Sequence, residues 1–147
     1  MFTDAAALLG RLLLCAIFVM SAIHKLTAWD QTLQTMQQHG ITGAEYLLPV
    51  AVVFELGGGL LVLFGLFTRL GALLLIVFLI PTTLLFHNFW AYQGEAMQTQ
   101  MINFMKNIAI FGGLFTVLGF GPGRFSIDAL LPRTRPLTAA PSRRAAA

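Results

Sequence analysis

Apolar residues run through this chain in four long blocks with shorter polar stretches between them. Ala5 to Ile23 holds 19 residues with one charge, Arg11, and Tyr46 to Phe67 holds 22 with one charge, Glu55. Leu70 to Phe86 holds 17 with none, and Met101 to Phe120 holds 20 with one charge, Lys106. A helix needs about 20 such residues to cross a ~30 Å hydrocarbon core, which the third block reaches if its ends extend slightly. The blocks do not alternate as barrel strands would, and backbone in lipid must satisfy its own hydrogen bonds, so the pattern predicts four transmembrane helices. Arg11 lies inside the first block and no small-residue cleavage site follows, which argues against a signal peptide. Trp29, Trp90 and Tyr92 read as anchors at the membrane interface. Between the first two blocks, "DQTLQTMQQH" reads as a short surface helix with Leu33 and Met36 on its lipid side.

Composition agrees with a lipid environment. Hydrophobic residues make up 57% and charged ones 10%, against about 25% charged in an ordinary soluble domain. The net charge of +3 comes mainly from the end of the chain and does not point to nucleic acid. The seven arginines, Arg11, Arg69, Arg124, Arg133, Arg135, Arg143 and Arg144, fall on or near one side, and Lys25 and Lys106 fall toward the other. The positive-inside rule then places both termini in the cytoplasm. The expected organisation is an all-α, integral-membrane four-helix bundle over residues 1–131, followed by a disordered basic cytoplasmic tail over 132–147.

Some chemistry is excluded or weak. The single cysteine, Cys15, rules out an internal disulfide and a multi-thiolate zinc site. His24, His39 and His87 form no i, i+4 pair, so no metal site is expected. "GGGLLVLFG" lacks the strand and lysine of a phosphate loop and reads as a packing surface.

At 100° per residue, Arg11, Cys15, Phe18, Ala22 and Lys25 share one stripe of the first helix. Glu55 shares a face with Ala51, Gly58 and Gly59 on the second, Arg69 shares one with Ile76, Thr83 and His87 on the third, and Asn103, Lys106, Asn107 and Ile110 form a stripe on the fourth. A mid-membrane charge costs roughly 2.5–3.5 kcal/mol, so such residues turn inward and pair. The expectation is that Lys106 lies in the bundle core as the partner of Glu55. Lys25, Lys106 and His87 outnumber the one carboxylate, and Asn103, Asn107 and Thr83 add donors and acceptors. That surplus favours a polar pocket for a small molecule over a pair that only sets packing.

The sequence resembles the DoxX family of bacterial four-helix inner-membrane proteins over about residues 8 to 130. The resemblance lies in "LLGRLLLCAIFVMSAIHKL", "ELGGGLLVLFGLFTRLGALLL", "FHNFW", "FMKNIAIFGGLF" and "GPGRFSIDALL". It implies a bundle related to the small subunit of thiosulfate:quinone oxidoreductase and, more distantly, to a eukaryotic cargo receptor. Family positions carry over to Arg11, Lys25, Glu55, Arg69, His87, Lys106, Asn107, Ser126 and Asp128. The functional expectation is a redox accessory or quinone-linked oxidoreductase component in the bacterial inner membrane. Glu55, His87 and Lys106 are its candidate catalytic residues, and Lys25, Asn103, Asn107 and Arg11 its candidate ligand-binding residues. Quinone is the implied cofactor; metal, haem and flavin are not expected, so electrons would come through a partner subunit or a homo-oligomer. The alternative is a non-catalytic assembly module whose polar core only fixes helix packing; a small transporter would need oligomers to make an alternating-access path.

Overall fold

A computed structural model describes residues 1–131; the expected tail at 132–147 lies outside them. The chain forms α1 (Phe2–Thr27), α2 (Trp29–Gln38), α3 (Ala44–Val52), α4 (Gly58–Phe64), α5 (Thr68–Phe86) and α6 (Gly94–Phe120). A π-turn at Val53–Gly57 joins α3 to α4 into one rod, and 3-10 turns sit at Phe89–Ala91 and Ile127–Ala129. Four helical stretches are long and apolar enough to cross a membrane: Phe2–Thr27, Ala44–Phe64, Thr68–Ala91 and Gly94–Phe120. The four-helix bundle read from the apolar blocks is therefore the architecture observed.

The α3–α4 rod lies between α1 and α5, and α6 packs mainly on α5. One core cluster joins Cys15 and Phe18 of α1, Val62 of α4, Leu75 and Leu79 of α5, and Leu114 of α6. Leu9, Leu13, Ile17 and Met20 of α1 point outward, as expected where lipid is the solvent. The glycines of the second block do act as a packing surface. A Cβ on Gly71 would come within 2.7 Å of the Leu61 Cβ and 2.9 Å of the Gly58 carbonyl oxygen, so α4 and α5 cross in near-backbone contact.

Asp4 accepts a hydrogen bond from the Arg124 N–H, so the start of α1 and the segment after α6 meet at one end of the bundle, here the terminal end. The other, loop end carries α2. Here the structure corrects the sequence expectation. Met36 is buried, and Leu33 packs with it against Ala44, Leu48 and Val52 of α3. The apolar face of α2 closes on the bundle because α3 offers it an apolar partner one tight turn away.

Candidate functional site

The loop end holds an ion pair between a buried carboxylate and a partly buried lysine. Glu55, 2% exposed, sits inside the π-turn, and its Oε2 accepts from Lys25 Nζ at 2.8 Å. Lys25 Nζ also donates to Ser21 Oγ at 2.6 Å and lies 5.8 Å from the Phe78 ring centroid, within cation–π range. π-Turns inside α-helices are frequent at functional sites. This one falls where Val52, Glu55, Gly58, Gly59 and Val62 all have to be buried along one rod.

The pairing differs from the sequence expectation. The partner of Glu55 is Lys25, and Lys106 is exposed on α6, not in the bundle core. Lysine on the stripe Arg11–Cys15–Phe18–Ala22 is carried into the interior because α1 packs along its length on the α3–α4 rod. Lys106 lies on a helix whose one buried residue is Leu114. Asn107 Nδ2 donates to Thr83 Oγ1 at 2.9 Å, and Thr83 Oγ1 donates to Leu79 O at 2.7 Å, so Asn107 ties α6 to α5. Asn103, one turn earlier, is half-buried.

Beside the ion pair is a cavity of about 520 Å³ between α3 and α5, with α2 contributing to its wall. Its surface is almost wholly apolar, from residues such as Leu48, Phe54 and Phe78; Lys25, Thr82 and His87 are among its polar contributors. His87, just past the end of α5, donates from Nδ1 to Gln100 Oε1 at 2.9 Å, and its Nε2 has no hydrogen-bond partner among the described residues. The structure therefore brings Lys25, Glu55 and His87 to one end of the bundle and leaves Lys106 out of it. Three contributors carried no functional expectation: Ser21, Phe78 and the π-turn. Ser21 is four residues before Lys25, one helical turn, so spacing would have revealed it. The π-turn leaves no mark in the apolar pattern.

Arg11 is at the opposite, terminal end and does not join this group. It is 1% exposed. Its Nη1 donates to Val62 O at 3.1 Å and Leu63 O at 3.3 Å, and its Nη2 donates to Phe125 O. The guanidinium thus caps the C-terminus of α4, where orphan carbonyls and the helix dipole favour a cation. Gly65 ends α4 with φ +66°: its N–H reaches Val62 O, and the next N–H, of Leu66, reaches Leu61 O. That is the Schellman pattern, and a side chain at Gly65 would run into Arg11 and Ser126.

The segment after α6 completes this end. Asp128 accepts from the Phe67 N–H at 2.7 Å, the Thr68 N–H at 2.9 Å and the Thr68 hydroxyl at 2.7 Å. It is the N-terminal cap of α5, supplied from 60 residues away. Partial burial pushes the Asp128 carboxyl up, but the hydrogen bonds from Thr68 and Phe67 and the nearby Arg11 guanidinium outweigh it and hold the group below the usual carboxylate range. Arg69 donates to Gly119 O at 3.4 Å across the same end. Ser126 Oγ donates to Gly123 O at 2.7 Å and starts the 3-10 turn that carries Asp128.

Among known proteins, the chain matches the DoxX family over residues 6–88 and the SURF4 family over residues 52–131. It is 38% identical to Inner membrane protein YqjF of Escherichia coli (strain K12) over 128 residues, covering 87% of this chain and 93% of the relative. It is 33% identical to Inner membrane protein YphA of the same organism over 121 residues, covering 82% of this chain and 86% of the relative. No solved structure matches it. With Lys25, Glu55 and His87 all inside the matched region, and with full-length relatives of this kind, the chain belongs to the DoxX family and is a multi-pass protein of the inner membrane.

Proposed function

We propose that this protein binds a quinone headgroup in the loop-end cavity and serves as a redox accessory, or as a component of a quinone-linked oxidoreductase. The arginine bias would set the terminal end in the cytoplasm and the cavity in the outer half of the bilayer. One observation carries the proposal. An ammonium has three N–H donors, and among the described residues Lys25 finds two acceptors, Ser21 and Glu55, while lining an apolar cavity of about 520 Å³. That volume lies in the range of small-molecule sites, roughly 300–1,000 Å³.

A quinone, when bound, supplies two-electron, two-proton redox chemistry. The chain's own residues have three tasks toward it. Lys25 donates to a ring oxygen, and in a dry site that bond is far stronger than in water. Glu55 holds the ammonium in place and balances its charge. His87, whose Nε2 has no partner among the described residues, is the group in the cavity wall that would carry a proton to or from the ligand.

The assembly-module reading draws on a different observation: α6 buries little of its length and exposes Lys106 at membrane depth. The two separate in one experiment. Protein purified in mild detergent is extracted with organic solvent and analysed by mass spectrometry, for wild type, Lys25→Met and Lys106→Met. Quinone near one per chain in wild type and in Lys106→Met, and its loss from Lys25→Met, is the expected result. Absence of quinone from wild type, together with no rise in melting temperature on adding it, would leave the assembly module ahead.

A further inference from the structure

The cavity wall supplied by α5 contains a break in that helix's hydrogen-bond ladder. Pro81 lies inside α5. Proline has no N–H, so the carbonyl of Val77 loses the donor that residue 81 would otherwise provide. Lipid has no water to make good the loss, and such carbonyls persist where another group re-satisfies them. The nearby hydroxyls serve other carbonyls: Thr82 Oγ1 donates to Phe78 O at 2.9 Å, and Thr83 Oγ1 to Leu79 O. No side chain among the described residues donates to Val77 O.

Val77 and Pro81, the two ends of the break, both line the cavity, as does Lys25. An ammonium donor from α1 and the residue whose carbonyl lost its N–H donor on α5 thus share the walls of one cavity. Leu47, Val50, Val77 and Leu85 line the cavity and are also about half exposed on the outer surface of the bundle, so the way in is sideways from the hydrocarbon.

We infer that the cavity selects a headgroup that both accepts and donates a hydrogen bond, and so takes a quinol in preference to the corresponding quinone. This rests on the quinone site proposed above and specifies which form occupies it. A quinone carries only acceptors, which suit Lys25 and leave the Val77 carbonyl unpaired. A quinol keeps oxygen lone pairs for Lys25 and offers a hydroxyl to Val77. A buried polar group left without its partner is the main source of discrimination between near-identical ligands.

The test is thermal melting of the detergent-purified protein with three probes: a short-chain ubiquinone, the same molecule reduced to the quinol under argon, and that quinol with both hydroxyls methylated. Wild type is expected to need about tenfold less quinol than quinone or ether for the same stabilisation, the equivalent of one net hydrogen bond. Pro81→Ala returns an N–H to position 81 and pairs the Val77 carbonyl internally. It is expected to melt above wild type without ligand and to bind quinol no better than quinone. Equal stabilisation of wild type by all three probes overturns the inference and leaves the quinone site standing. A quinol preference that survives in Pro81→Ala overturns the role of Val77. Stabilisation by none of the probes removes the quinone site and the inference together. The wild-type comparison decides the matter even if the variant does not accumulate.

Discussion

Two cations sit on one stripe of α1, Arg11 buried near the terminal end and Lys25 partly buried near the loop end, and their surroundings differ in kind. Arg11 has carbonyl partners at the end of α4 and in the segment after α6, next to the Asp128 cap on α5. Among the described residues Lys25 has one carboxylate and one hydroxyl as partners, with an apolar cavity beside it. The side chains suit these settings. A planar guanidinium with five donors can bridge several carbonyls at once, although Arg11 Nε finds no partner among the described residues, whereas an ammonium is a compact charge on a flexible stem with three donors. The terminal end is tied together by hydrogen bonds, and the loop end keeps a cavity beside its cation.

That contrast can be broken by experiment. The largest effects are expected at the loop end. Lys25→Met leaves the buried Glu55 carboxylate alone, a loss on the order of 3–5 kcal/mol in detergent unfolding, and Glu55→Gln, which leaves the partly exposed Lys25, should cost less. The double variant should regain much of that stability but not quinone binding, because the donor proposed for the headgroup is gone. Binding restored in the double variant would reduce the pair to packing.

Arg11→Met should cost somewhat less, about 3 kcal/mol, from carbonyls left unpaired at a helix end. Quinone affinity in the surviving folded protein should stay as in wild type. A specific loss of affinity at unchanged stability would mean the two ends are coupled.

Asp128→Asn weakens the cap on α5 and should cost about 1 kcal/mol. Its pH dependence has a definite sign. The folded Asp128 carboxyl lies below its ordinary value, so its contribution is complete above the unfolded pKa and is lost as pH falls through the folded one. Melting temperature should therefore fall on acidification more steeply in wild type than in Asp128→Asn. Parallel acid limbs would show that the carboxylate adds nothing.

Lys106→Met should do least, leaving melting temperature and quinone binding unchanged, because the side chain is exposed and has no part in the Glu55 pair. A large loss of either would return Lys106 to the site.

The sequence showed which groups were charged and at what depth, but paired them incorrectly. Lys25 and Lys106 were both candidates to meet Glu55, and helical periodicity assigns a face without saying what stands opposite it. The choice depended on α1 running close along the α3–α4 rod while α6 packed mainly on α5. Asp128 illustrates the same limit. Family likeness marked the position, yet its task as a cap for Thr68 exists only once the chain has folded back.

What the sequence determined alone was the count of spans, their approximate ends and the membrane setting, because these follow from runs of apolar residues measured against the thickness of a bilayer. Tertiary structure decided which cation meets Glu55, where α2 turns its apolar face, and that a π-turn and Pro81 stand beside one cavity. Each of these is set by which helices become neighbours. That is fixed by close approaches such as Gly58 to Gly71, which depend on the three-dimensional fit of two backbones and have no period along the chain.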